Sequence, residues 1–136
     1  MNINCNTTFD NKNMHPYIAN IHQHTLENNN FRIALWTGDH IQMTLMCIPP
    51  CEEIGFEVHE NLDQFIRIEK GQALFKAGEC MHHITYQKIM CENDGVFIPA
   101  GYCHNIINTQ NEPLKLSVIY SPPNHPTNIL QPIAPK

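Results

Sequence analysis

From Asn30 onward the chain alternates apolar and polar residues with the period of two that a β-strand requires. Phe31, Ile33 and Leu35 form one such set, closed by Thr37-Gly38-Asp39. Ile41, Met43, Leu45 and Cys47 form the next, which stops at Pro49-Pro50. A third run, Ile54 to His59, puts Glu57 and His59 on one strand face and Phe56 and Val58 on the other. Glu60 to Asp63 turns the chain into Gln64-Phe65-Ile66-Arg67-Ile68-Glu69, and Lys70-Gly71 ends that strand. Further strands are predicted at Ala73 to Lys76, near His82 to Met90, at Val96 to Ile98, after Gly101, and at Leu114 to Tyr120. The turns between them are Ala77-Gly78-Glu79, Glu92 to Gly95, Pro99 to Gly101 and Asn108 to Pro113. Such short units separated by turn residues are the spacing of an all-β sandwich or barrel. With no internal repeat and no helix longer than about two turns, the pattern predicts a single antiparallel β-barrel or jelly roll.

The flanks differ from this body. Residues 1–30 are rich in Asn and His with weak periodicity, and are expected to form an arm that packs on the barrel of residues 31–121. Residues 122–136 are proline-rich; proline removes a ladder donor, so this tail is expected to run extended along the barrel or a partner subunit. At 136 residues the chain fits one domain with a core that needs no disulfides.

Charge narrows the partners. The net charge is −5, and Arg32, Arg67 and six scattered lysines form no basic run, which argues against nucleic acid and acidic membranes. No apolar stretch approaches the roughly eighteen residues of a membrane helix, and Met1 to Cys5 has neither a basic start nor an apolar h-region. A cytoplasmic protein is expected. The six cysteines show no C-x-x-C pair and are expected to be free thiols; Cys47 and Cys51 lack a zinc-site spacing. Cys103 should face away from its neighbour His104. His22-Gln23-His24 reads H-x-H but has no second ligand pair nearby, so it is assigned to the arm.

The chemistry concentrates in two places. Pro99, Gly101, His104 and Asn108 make the pattern P-x-G-x-x-H-x-x-x-N, in which a rigid turn after an apolar strand aims one imidazole. Upstream, Glu57, His59, Gln64 and Gly71 make E-x-H-x4-Q-x6-G. Two neutral imidazoles, a carboxylate and an amide carbonyl at inward positions of apolar strands are costly to bury without partners. They suit a divalent ion: zinc first, or Fe, Mn, Co or Ni.

The joint spacing resembles the cupin family, whose motifs are H-x-H-x3-4-E-x6-G and P-x-G-x-x-H-x3-N. The second motif matches in full. In the first, Glu57 stands in place of a histidine and Gln64 in place of the glutamate, while Cys51 and Asn93 hold positions where the family has glycines. The resemblance implies a cupin jelly roll with Glu57, His59, Gln64 and His104 as the metal ligands. The mixture is similar to the site of phosphomannose isomerases with Glu and Gln exchanged, which implies a mannose-6-phosphate isomerase-like sugar isomerase working by metal-assisted proton transfer. The base is not assigned; Tyr86, His82, His83 and Tyr102 are candidates. Arg67 alternates out of phase with Gln64 and should point away from the site, and Arg32 is unplaced. Alternatives are a metal-dependent cupin oxygenase and a non-catalytic module that binds a sugar or other small polar ligand. A homodimer through the face carrying Phe56 and Val58 is expected.

Overall fold

A computed structural model describes residues 15–135. Cys5 and the first fourteen residues of the expected arm lie outside the described residues. A short helix, α1 (Ile21–Glu27), opens the described chain, capped by the Asn20 side chain, which accepts from the Gln23 N–H at 3.1 Å. Nine strands follow: β1 (Arg32–Thr37), β2 (Gln42–Ile48), β3 (Asp63–Lys70), β4 (Ala73–Cys80), β5 (His83–Met90), β6 (Gly95–Ile98), β7 (Cys103–Asn108), β8 (Leu114–Ser121) and β9 (Leu130–Gln131). They form two antiparallel sheets, ordered β6-β3-β8-β2-β1-β9 and β5-β4-β7. This is the expected jelly roll.

Register shows which residues face inward. Met46 pairs with Leu116, and Leu116 with Ile68; Thr44 pairs with Val118, and Val118 with Ile66. Directly opposed residues share a face, so these rows line the interior with Ile48 and Leu114. From the smaller sheet come Ala73, Phe75, Ala77 and Ile106, which complete the buried cluster. Burying these aliphatic side chains is the main stabilising term, at about 1.5–3 kcal/mol each.

Several expected features differ. The apolar sets Ile33 with Leu35, and Met43 with Leu45, lie on the outer face of the large sheet, and α1 with the segment before it covers that face. Tyr17, Ala19 and Ile21 meet Leu35, Trp36 and Met43 there. A sheet buried on both sides has no single apolar stripe. The inner face of β1 and β2 therefore carries Arg32, Ala34, Gln42 and Thr44, since Arg32 pairs with Met46 and Ala34 with Thr44. The turn expected at Ala77-Gly78-Glu79 is instead part of β4, whose turn comes at Met81-His82. Gly78 is there because a Cβ would lie 2.0 Å from the His83 carbonyl oxygen at a bulge.

Ile54 to His59 is not a regular strand. It tracks β7 through the bridges Glu53↔Ile107 and Glu57↔His104, with Gly55 at φ +96° bending it between them. The tail lies along the barrel: β9 pairs with β1, and residues 124 and 125 are held against β2.

Candidate metal centre

Two segments far apart in sequence are joined before any side chain is considered. The Glu57 N–H donates to the His104 carbonyl, and the His104 N–H to the Glu57 carbonyl, both at 3.0 Å. Gly101, at φ +88°, donates its N–H to the His59 carbonyl at 2.9 Å. The Pro99 to Gly101 turn and the Glu57 to His59 segment thus fix each other. Asn108 closes the second motif structurally: its amide donates to the carbonyls of Ile48, Pro49 and Glu112 and accepts from the Gln110 N–H.

The side chains of Glu57, His59 and His104 converge, with one donor atom from each lying within 4.8 Å of the others. Glu57 Oε1 is 3.4 Å from His104 Nε2 and 3.5 Å from His59 Nε2, too far and too poorly aligned for good hydrogen bonds. Those three atoms and Gln64 Oε1 are all buried without a hydrogen-bond partner. Gln64 lies between Tyr120 and Ile98 on the inner face. The three converging atoms are what a divalent ion would satisfy, Gln64 Oε1 is a further orphaned oxygen on the inner face, and burial of such groups without a partner is costly.

The tautomer of His104 agrees. Its Nδ1 is 3.3 Å from the Tyr102 carbonyl oxygen, which can only accept. A proton on Nδ1 serves that contact and leaves Nε2 turned toward Glu57. Burial pushes the Glu57 carboxyl up, but His104 and then His59 outweigh it and hold the carboxyl well below the usual range. Glu57 is an anion at neutral pH. Glu57 also borders a surface groove of about 360 Å³ lined by Phe56, Val58, Glu60, Met81 and Cys103.

The candidate bases do not line the centre. Tyr86 and Tyr102 are 52% and 43% exposed, and His82 and His83 are exposed in the β4–β5 hairpin. In their place stand two groups that sequence reasoning did not select. Tyr120 is buried with its ring 5.9 Å from that of His59, and its hydroxyl is 3.3 Å from His125 Nε2. Burial pushes the Tyr120 hydroxyl well above its ordinary value. His125 falls to about 4, through burial first and then the nearby Arg32 cation. Tyr120 ends a predicted strand and carries no further signal in the sequence, and His125 lies in the tail, where local pattern carries none.

Other candidates fall elsewhere. His22 on α1 pairs with Glu69 on the outer face, with Nδ1 2.9 Å from Oε1, and takes no part in the centre. Arg67 also meets Glu69 on the outer face, as its alternation predicted. Arg32 points inward. Cys47, Cys51, Cys80, Cys91 and Cys103 are free. Burial and the neighbouring Cys80 push the Cys103 thiol up, so it stays protonated. Among the described residues no helix is long and apolar enough to cross a membrane.

Comparison with known proteins agrees with this fold. The family model described as a cupin domain matches residues 44–120. The protein YrkC of Bacillus subtilis (strain 168) is 50% identical over 111 residues, 82% of this chain and 60% of its own length, so the chain spans less than two thirds of that relative. A protein of Acanthamoeba polyphaga mimivirus is 41% identical over 81% of this chain and 68% of its own. The crystal structure of a Bacillus halodurans protein, 44% identical, superposes with a TM-score of 0.86 over 88% of this chain and 91% of that one.

Proposed function

The chain belongs to the cupin family, and from that premise and the donor set at the barrel mouth we propose that it is a metal-dependent enzyme catalysing an isomerase-type proton transfer on a small oxygen-rich substrate. The observation that carries this reading is the convergence of three buried, orphaned atoms, Glu57 Oε1, His59 Nε2 and His104 Nε2, with the orphaned Gln64 Oε1 on the inner face of β3. A divalent ion held there would supply a Lewis acid for a carbonyl or hydroxyl oxygen.

The chain's own residues supply the rest. Glu57, as an anion, offsets the charge of the ion, and the Nδ1–H of His104 directs its other nitrogen inward. His125, neutral above about pH 4, accepts at Nε2 from the Asn124 amide and meets the Tyr120 hydroxyl there, each at 3.3 Å, so that nitrogen can take up a proton that the hydroxyl passes on. A phosphosugar would need several cations at the site, and among the described residues Arg32 is the one buried arginine or lysine turned inward, while Lys88 shares the inner face opposite Phe75 but is exposed on the edge strand β5. The mannose-6-phosphate version of the reading is thereby weakened, and proton transfer on a smaller substrate is favoured.

The test is the metal content of purified wild-type, His59→Ala and His104→Ala proteins by mass spectrometry. Near one equivalent in the wild type, lost in both variants, is expected. Retention of metal in the variants, or no binding by the wild type after reconstitution with zinc, would overturn the assignment. Iron in place of zinc would redirect the assay to oxygenase chemistry.

A further inference from the structure

Arg32 is a buried cation without a counter-ion. It is 5% exposed, projects into the barrel from β1, and among the described residues no carboxylate lies within ion-pair distance of it. Its five N–H donors are poorly matched: Nη1 donates to Gln131 Oε1 at 2.6 Å, Nη2 lies 4.0 Å from Met46 Sδ, and Nε has no partner. A guanidinium stripped of water and of anions is expensive, and structural arginines in cores are normally paired.

The neighbouring inner positions do not complete it. Thr44 is fully buried and its hydroxyl has no partner, while Ala34, paired directly opposite Thr44, presents only a methyl group. Tyr120 is the third member. Arg32 and Thr44 are both close enough to its hydroxyl to favour the anion, although burial and Glu57 prevail. Tyr120 also has its ring 5.9 Å from that of His59, which sets it beside the metal centre.

We propose that Arg32, Thr44 and Tyr120 form a carboxylate subsite, so that the substrate is a small carboxylic acid whose second oxygen, a carbonyl or hydroxyl, reaches the metal centre. The second half of this statement rests on the metal reading above; the subsite itself does not. One guanidinium matches one carboxylate, bidentate and singly charged, whereas a phosphate dianion would ask for further cations. Arg67 and Lys115 lie on the outer face, with Glu69 and with the loop at Asn28 respectively.

The test uses pyruvate, acetoacetate and levulinate, which move a carbonyl stepwise away from the carboxylate, with their methyl esters as neutral controls. Binding is measured by calorimetry on metal-free and zinc-loaded protein. At least one acid is expected to bind the metal-free wild type at least tenfold tighter than its ester. Arg32→Met should abolish that preference with zinc stoichiometry unchanged, and Thr44→Val, which keeps shape and charge, should weaken acid binding about threefold. Should Arg32→Met fail to fold, Thr44→Val with Arg32→Lys decides: both must bind the acid more weakly than wild type. Equal binding of acid and ester, no binding of any acid, or undiminished acid binding in the variants overturns the proposal. Loss of zinc binding with acid binding intact would overturn the metal reading and leave the subsite standing.

Discussion

Gln42 and His125, 83 residues apart in the chain, are joined by both ends of one amide. Gln42 Oε1 accepts the N–H of His125 at 2.9 Å and that of Asn124 at 3.1 Å, while its Nε2 donates to the His125 carbonyl at 2.9 Å. This buried side chain fastens the tail across the mouth of the barrel and places the His125 ring against Tyr120. Gln42→Leu should cost about 2–4 kcal/mol, because it strands two backbone donors and one acceptor. It should also lower any turnover while metal content per folded molecule stays at the wild-type level. Denaturant melts beside metal analysis check both parts; a stability change below about 0.5 kcal/mol would mean that the tail is not held this way.

On the outer face, Glu69 collects Arg67, His22 Nδ1 at 2.9 Å and the Ser117 hydroxyl at 2.8 Å. Burial pushes its carboxyl up, but Arg67 first, then His22 and Ser117, hold it below the ordinary value. The unfolded chain therefore binds this proton more readily than the folded one. The contribution is complete above about pH 4.5 and is lost as pH falls through the lower folded-state value. Wild type should lose stability across that acid window, and Glu69→Gln should show a flatter acid limb after an initial loss of about 1–2 kcal/mol at pH 7. Parallel limbs in urea melts taken from pH 3 to pH 7 would contradict the assignment.

The second motif was legible because its geometry is local: Pro99 and Gly101 set the turn, and His104 follows at fixed phase on β7. Glu57 and His59 were legible as a pair, although the segment holding them is bent at Gly55 and is not a regular strand. What the pattern could not give was sidedness. Alternation in β1 and β2 was visible, but with α1 covering the outer face the apolar set no longer marked the interior, and Arg32 and Thr44 were overlooked as inner residues. Gly78 was ambiguous for a related reason, since a missing Cβ serves a turn and a close backbone approach equally well. His125 depends on a side-chain amide 83 residues away, and no local rule reaches that far.

Asn108 ends the second motif, yet its bonds run away from the metal centre. Its amide nitrogen serves three carbonyls, those of Ile48 at 3.0 Å, Pro49 at 3.2 Å and Glu112 at 2.8 Å, where β7 meets the end of β2. Asn108→Ala should destabilise by about 3 kcal/mol, leaving buried acceptors unmatched, while the variant that does fold retains full metal content. Thermal melts with metal analysis separate this from a ligand role; metal loss without destabilisation would reverse the assignment.

Glu57 is the one anionic donor in the centre, so its charge should appear in metal affinity more than in folding. A ligand that binds only the folded state stabilises it by RT ln(1 + [L]/Kd), about 2.7 kcal/mol at one hundred times Kd. Wild type should gain stability on that scale as zinc is added and lose it to a chelator. Glu57→Gln keeps the shape and removes the charge. If zinc affinity falls tenfold or more, the variant should gain at least about 1.4 kcal/mol less at equal free zinc. Titrating zinc against unfolding free energy for the two proteins measures the difference directly. Identical gains would show that the carboxylate is not a ligand and that His104 and His59 hold it for folding alone, in which case the metal-free variant should be the less stable of the two.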